Sequence, residues 1–150
     1  MGFKRGFTLI EILLAIGILA ILATAAIIAI NPGRQFAEAR NSQRWSDVNA
    51  IMNAVYQYSV GHKGAKPPEI PLAGDPIEVC VSGALSCSGI IGMDSLTGGA
   101  VYLTSFPIDP SCPNNCPTFS TGYFITTNAD GRIYIQAPHA ELGEVIEMVR

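Results

Sequence analysis

Residues 7–30 constrain this chain more than any other part of the sequence. They form a run of 24 positions with a single charged residue, Glu11. A helix of this length rises by about 36 Å, enough to span the ~30 Å hydrocarbon core of a bilayer. The run is longer than the apolar part of a signal peptide, and no small-residue cleavage site follows it. The sequence therefore predicts one membrane-spanning helix that stays in the mature protein.

Charge is distributed unevenly over the rest of the 150 residues, a length that allows one folded domain. Residues 34–66 carry five basic residues against Glu38 and Asp47, whereas residues 67–150 carry nine carboxylates and two arginines, Arg132 and Arg150. An acidic head repels phosphate backbones, so no nucleic-acid binding by the head is predicted. A solvated acidic surface is the simpler interpretation.

A second pattern lies at the N-terminus, where the apolar run is preceded by the residues Lys4-Arg5-Gly6 and opens as Phe7-Thr8-Leu9-Ile10-Glu11. In these residues the chain resembles the type IV pilin superfamily, which comprises pilus subunits and the pseudopilins of type II secretion and competence systems. The resemblance covers roughly residues 1–60 and is most specific over residues 4–30. It implies that a prepilin peptidase cuts between Gly6 and Phe7, and that the new amino group of Phe7 is N-methylated.

Glu11 needs a partner, because a carboxylate inside hydrocarbon costs on the order of 3 kcal/mol. The resemblance implies that Glu11 pairs with the N-terminal ammonium of Phe7 in a neighbouring subunit and so sets the axial register during assembly. The alternative is that Glu11, one turn into the helix, reaches the membrane interface and favours the positive end of the helix dipole.

The segment after the apolar run predicts a second helical half. Pro32 and Gly33 predict a helix break, because proline cannot donate to the preceding turn and glycine lowers helix propensity. Helical periodicity resumes near Arg34 and continues to residues 61–64, with an apolar face made of Phe36, Ala37, Trp45, Val48, Met52, Val55 and Tyr56. The charged residues are expected to form a solvated face open to a neighbouring head: Arg34, Glu38, Arg40, Arg44 and Asp47.

Short β signals follow a turn-rich stretch. Strands are predicted at residues 77–81 and 100–104, a hairpin at residues 122–127 and 132–136, and a last strand at residues 144–149. The predicted fold is α+β, type IV pilin-like: a long N-terminal helix packed on a small antiparallel sheet. Its parts are a cleaved leader (1–6), a membrane and filament-core helix (7–30), an amphipathic helical half (31–66) and a β-rich head (67–150).

Four cysteines form two local pairs, Cys80 with Cys87 and Cys112 with Cys116. If the apolar segment leads to export, the compartment is oxidising and two small-loop disulfides are predicted. A four-thiolate zinc site is the alternative, but neither pair has the two-residue spacing typical of zinc ribbons.

No motif indicates catalysis, so no enzyme activity and no cofactor are expected. His62 and His139 have no cysteine or serine in a nucleophile motif, and both are interpreted as surface side chains. Calcium is the one ligand considered, since the resemblance includes major pseudopilins that bind it in C-terminal loops. Asp109, Asn128 and Asp130 offer oxygens, but their spacing is not that of an EF-hand and turn chemistry explains them equally.

The predicted function is structural: a subunit of a type IV pilus, polymerised through its N-terminal helix. The resemblance implies three partners, namely further copies of the chain, the prepilin peptidase and an inner-membrane assembly platform. Before assembly the subunit crosses the cytoplasmic membrane once with its head outside the cytoplasm, and afterwards it lies in an extracellular filament. A major pseudopilin of a secretion or competence system is the alternative. A membrane-tethered binding domain that never polymerises is the alternative of another class.

Overall fold

The computed structural model describes residues 6–84, 86–112, 114 and 116–150. The chain divides into two compact units, Met1–Phe36 and Ala37–Arg150. Of the predicted leader, residues 1–6, only Gly6 lies within the described residues.

Helix α1, Leu9–Ile30, is the predicted apolar helix. It begins after Thr8, whose hydroxyl accepts a hydrogen bond from the backbone N–H of Glu11 at 3.4 Å. The sequence Thr8-Leu9-Ile10-Glu11 therefore caps the helix in the way expected for a threonine followed three residues later by a glutamate. Within the helix, the Thr24 hydroxyl donates to the carbonyl of Ala20 at 2.9 Å, so its polar group is satisfied without leaving the helix.

The helix break lies one residue earlier than predicted. Asn31 adopts a left-handed conformation (φ 48°) and is the C-cap of α1, whereas Pro32 is the first residue of helix α2, Pro32–Gly61. Proline is favoured at this first position, since its fixed φ suits a helix and its missing N–H would have no helical partner there. Asparagine tolerates the left-handed region better than most residues, so Asn31 forms the break and Gly33 lies inside α2.

Helix α2 buries a face against the sheet through Val48, Ile51, Met52 and Val55. Phe36 and Trp45 of the predicted apolar face are exposed. One prediction for this helix is wrong. Arg44 and Asp47, predicted on a solvated face, are buried.

The head contains one antiparallel sheet in the order β1-β2-β3-β4. Its strands are β1 Ile77–Cys80, β2 Ser120–Thr127, β3 Ile133–Gln136 and β4 Glu147–Val149. The hairpin β2–β3 and the strand β1 confirm their predictions, and β4 is shorter than predicted. The strand predicted at residues 100–104 is wrong: a short helix α3, Asp94–Thr97, and a 3₁₀ turn, Gly98–Ala100, lead into bends there.

The core of the 37–150 unit lies between α2 and the inward face of the sheet. Tyr123 and Ile125 of β2 and Ile133 and Ile135 of β3 alternate inward and are almost fully buried against the α2 face. This alternation is the period of two expected for a strand with one buried side. The predicted α+β class, a long apolar N-terminal helix with a small antiparallel sheet, is confirmed.

Candidate functional site

A buried cluster joins α2 to two distant loops of the head. We call it the Arg44 cluster, and it consists of Asn41, Arg44, Asp109, Ser111 and Glu141. The Arg44 side chain is fully buried, and its guanidinium binds Asp109 through two parallel contacts of 2.7 and 3.0 Å. Its remaining N–H groups donate to Asn41 Oδ1 (2.8 Å), Ser111 Oγ (3.1 Å) and Glu141 Oε2 (3.2 Å). All five guanidinium donors of Arg44 are therefore satisfied.

The charge on both partners is stabilised inside this cluster. Burial by itself would raise the pKa of Asp109, but hydrogen bonds from Arg44 and Ser111 outweigh it and hold that pKa below its ordinary value. Burial likewise opposes the charge on Arg44, whereas the hydrogen bonds and charges of Asp109 and Glu141 raise the pKa of its guanidinium. The pair is consequently an ion pair at neutral pH.

The exposed half of the cluster fixes the loop at residue 141. Arg40 donates to both carboxylate oxygens of Glu141 at 2.6 and 2.8 Å. The backbone N–H and carbonyl of Glu141 bind the Asn41 side chain at 2.9 and 2.8 Å. The hydrogen bond from Arg40, assisted by Arg44, lowers the pKa of Glu141 to about 2. This loop is thereby tied to α2 through both its backbone and its charge.

A second polar contact links α2 to strand β2. The Tyr123 hydroxyl donates to Asp47 at 2.7 Å, and Gln43 donates to the other carboxylate oxygen at 2.8 Å. Burial, with a further contribution from Asp47, raises the pKa of Tyr123 above its ordinary value. The tyrosine therefore stays neutral and acts as a hydrogen-bond donor from β2 to α2.

The N-terminal segment is built differently, because none of its described apolar side chains is buried. Every described side chain of Leu9–Ile27 is exposed, and this stretch has the length and hydropathy to cross a membrane. Burying one large apolar side chain is worth about 2 kcal/mol. An isolated helix with this surface is therefore stable only in lipid or against other apolar helices.

Gly6 and Glu11 lie at the start of this unburied helix. A Cβ added at Gly6 would meet no atom within 4 Å, so the fold itself does not require glycine there. Glu11 lies in the first turn and is exposed. Both residues are thus left available to groups outside this chain, such as an enzyme that recognises the backbone at residue 6 or a cation near Glu11.

Comparison with known proteins identifies this segment. Residues 1–27 match the family model of the prokaryotic N-terminal methylation motif, the signature of the prepilin-type cleavage segment of type IV pilins and pseudopilins. The chain carries a type IV pilin-type N-terminus. No curated protein and no solved structure matched the chain. The motif therefore indicates a prepilin peptidase substrate of the pilin or pseudopilin type, with a membrane-anchored helix that assembles into a pilus-type polymer.

Both predicted disulfides, Cys80–Cys87 and Cys112–Cys116, are present in the head. The second one lies against the Arg44 cluster, because both of its sulfur atoms are near Gly122 of β2. A Cβ at Gly122 would lie 2.8 Å from Asp109 Cβ and 3.1 and 3.2 Å from the sulfurs of Cys112 and Cys116. Gly122 also has φ +78°, a region that side-chain-bearing residues rarely adopt.

Replacing Gly122 with alanine is expected to lower the free energy of unfolding by about 3 kcal/mol, since it adds a steric overlap to a strained backbone angle. Gly89→Ala is the matched control. Gly89 has φ +79°, but a Cβ added there would meet no atom within 4 Å, so only the backbone cost of about 1 kcal/mol applies. Urea unfolding of the full-length protein in detergent, followed by fluorescence of its single tryptophan, measures both. Equal losses for the two variants would contradict the packing argument.

The histidines and the candidate calcium ligands considered from sequence do not form one common site. His62 stacks on Tyr58 with ring centroids 3.9 Å apart, and its Nδ1 lies 2.9 Å from the Tyr58 carbonyl oxygen. Asp109 is occupied by Arg44, whereas Asn128 and Asp130 lie in the β2–β3 turn. Among the described residues, no group of three His, Cys, Asp or Glu side chains could hold a metal ion. That the protein has no cofactor, with calcium as the one ligand considered, stays a prediction.

Sequence reasoning missed the Arg44 cluster. Its members come from three regions that are 65 and 97 residues apart from Arg44 along the chain. The available signal was weak: Arg44 lies four and seven residues before Val48 and Ile51, and therefore on the same face of α2.

Proposed function

We propose that this protein is a structural subunit of a type IV pilus filament, processed by a prepilin peptidase and polymerised through α1. One observation carries the proposal: the motif of residues 1–27 opens a helix whose described apolar side chains are all exposed. Such a surface is covered by lipid before assembly and by the helices of other subunits afterwards.

Glu11 supports the same proposal. It is the one charge in the apolar segment of residues 7–30, and a charge in hydrocarbon is rare unless it is paired. Cleavage after Gly6 creates an ammonium at Phe7, four residues away. Within one subunit Thr8 already caps the helix end, so the amine of a neighbouring Phe7 is the partner that assembly supplies.

The head is suited to the outside of a filament. It has two disulfides, Cys80–Cys87 and Cys112–Cys116, which are typical of oxidising compartments outside the cytoplasm. Its buried polar contacts tie α2, the loop at Asp109 and the loop at Glu141 into one unit. We therefore assign α1 to the filament core and the unit that begins at Ala37 to the exposed surface.

The intact mass of the protein tests this function. It is measured in filaments sheared from native cells and, in parallel, in the membrane fraction. We expect a species in the sheared material that begins at N-methylated Phe7 and has both disulfides formed. The same processed species found only in membranes would instead indicate a pseudopilin. An uncleaved species beginning at Met1 in both fractions would overturn the proposal.

A further inference from the structure

The head has a groove in which its rare basic residues meet. Its apolar wall is formed by Val55, Tyr56, Val60 and Ile133, and its volume is about 520 Å³. Three basic residues are among those that line it: Lys66, Arg132 and Arg150. Arg132 and Arg150 are the only basic residues after position 67, where nine carboxylates are present. The fold thus concentrates the positive charge of an acidic head on one apolar groove.

These cations have no acidic partner among the described residues. The Lys66 ammonium donates to the carbonyl of Gly131, and the Arg150 guanidinium lies over the Tyr56 ring at 5.8 Å from its centroid. Neither they nor Arg132 belongs to a salt bridge of the described chain. A carboxylate attached to apolar side chains is therefore the complementary ligand for this groove.

The head also displays a segment with that chemistry, at residues 141–145. Glu144 N–H donates to the Glu141 carbonyl at 3.1 Å, and both intervening residues, Leu142 and Gly143, have positive φ (60° and 74°). This is the geometry of a type I′ turn, in which a leucine is unfavourable. Leu142 and Val145 are 52% and 74% exposed, and the Glu144 carboxylate between them makes no hydrogen bond within the described chain.

The turn is anchored to α2 in spite of these local costs. Glu141 is fixed to α2 by Arg40, Asn41 and Arg44 through both its carboxylate and its backbone. Backbone strain and exposed apolar side chains at an anchored position are typical of a protein-binding surface. The turn therefore projects two apolar side chains and one unpaired carboxylate from a fixed base.

The turn and the groove lie at different levels along α2. The turn is anchored at residues 40–44, whereas the groove is lined by residues 55–60. Fifteen residues separate Asn41 from Tyr56, which corresponds to about 22 Å along a helix. When the turn of one copy enters the groove of the next and this is repeated head to tail, the contact is heterologous, and heterologous contacts that do not close into a ring generate open helical filaments.

We propose that the groove of one subunit accepts the 141–145 turn of a second copy, with Glu144 placed among Lys66, Arg132 and Arg150. This inference rests on the proposed polymerising function and adds the head contact that accompanies packing of α1. The exposed loop with Leu72 and Asp75 is a less suitable occupant, because Leu72 lies beside Lys66 at the groove end of the head. Its insertion would join like ends of two subunits instead of propagating along a filament.

Charge exchange in the full-length protein tests this contact in cells. Glu144→Arg and Arg132→Glu are each expected to reduce sheared filaments by at least about tenfold, because each places like charges opposite one another. The double variant restores the opposite pair, so filaments should return toward the wild-type amount. Asp94→Arg is the matched control, since it makes the same charge change at an exposed carboxylate of α3. Processed subunit in the membrane fraction should be unchanged in all variants.

Carbodiimide treatment of wild-type filaments provides a second measurement. It joins a carboxylate directly to an amine, and we expect a Glu144–Lys66 amide between subunits. Joining of Lys66 to Asp75 instead, or single variants that assemble normally, would overturn the contact while leaving the filament proposal intact. An absence of wild-type filaments would mean that the proposed function itself is wrong.

Discussion

Replacing Arg44 with methionine is expected to lower the free energy of unfolding of the head by about 3–5 kcal/mol. The change removes a fully buried cation and leaves the buried carboxylate of Asp109 without its partner. Breaking one side of a buried pair has this cost because the remaining charge stays desolvated and unpaired. Arg44→Lys should also destabilise the head, since an ammonium has three donors where the guanidinium satisfies five acceptor contacts.

Arg40→Met is the matched control for this prediction. Both arginines bind Glu141, but the Arg40 side chain is 37% exposed whereas that of Arg44 is fully buried. An exposed pair contributes little to stability, because solvent screens it. Denaturant unfolding of the full-length protein in detergent, followed by Trp45 fluorescence, compares the two. If both substitutions cause the same loss, burial of Arg44 is not the source of the effect.

A double variant separates the pair from the packing around it. Arg44→Met combined with Asp109→Leu removes both charges together, and replacing a buried ion pair by apolar groups is often neutral. We expect this variant to be more stable than Arg44→Met alone. A double variant that is less stable than either single change would show that Ser111 and Asn41 need the charged groups for their own hydrogen bonds.

Local patterns predicted the elements whose cause is local. The apolar run and the hairpin turn at residues 128–131 each specify structure within a few residues, and each is present. Cysteine pairs closed by loops of a few residues were predictable for the same reason. The break at Asn31 was misplaced by one residue because proline favours a helix start as strongly as it opposes a helix interior.

The errors concern burial, which depends on distant parts of the chain. The spacing of Arg40, Arg44 and Asp47 is typical of a solvated helix face. Burial of Arg44 arises because the loops carrying Asp109 and Glu141 fold over it. Tyr102 and Leu103 pack against the core without forming a strand. Their apolar character therefore indicated this packing correctly, whereas the strand predicted from it was wrong.

Glu11→Gln is expected to abolish assembly, with sheared filaments reduced by about a hundredfold or more and processed subunit in the membrane unchanged. The substitution keeps the size of the side chain but removes its charge, so a neighbouring Phe7 ammonium loses its counter-ion in an apolar core. A charge unpaired in hydrocarbon costs on the order of 3 kcal/mol, which corresponds to roughly a hundredfold in an equilibrium. Immunoblots of sheared and membrane fractions measure both quantities.

Thr8→Ala distinguishes charge pairing from stabilisation of the helix end. Thr8 accepts the hydrogen bond from Glu11 N–H that caps α1, and losing an N-cap costs about 1 kcal/mol. If Glu11 served only the helix dipole, the two substitutions would reduce filaments to a similar degree, since both act on the first turn. If Glu11 pairs with another subunit, Thr8→Ala keeps most of the filaments while Glu11→Gln loses them. Normal assembly of Glu11→Gln would remove the electrostatic basis for register and leave apolar packing of α1 as the remaining cause of assembly.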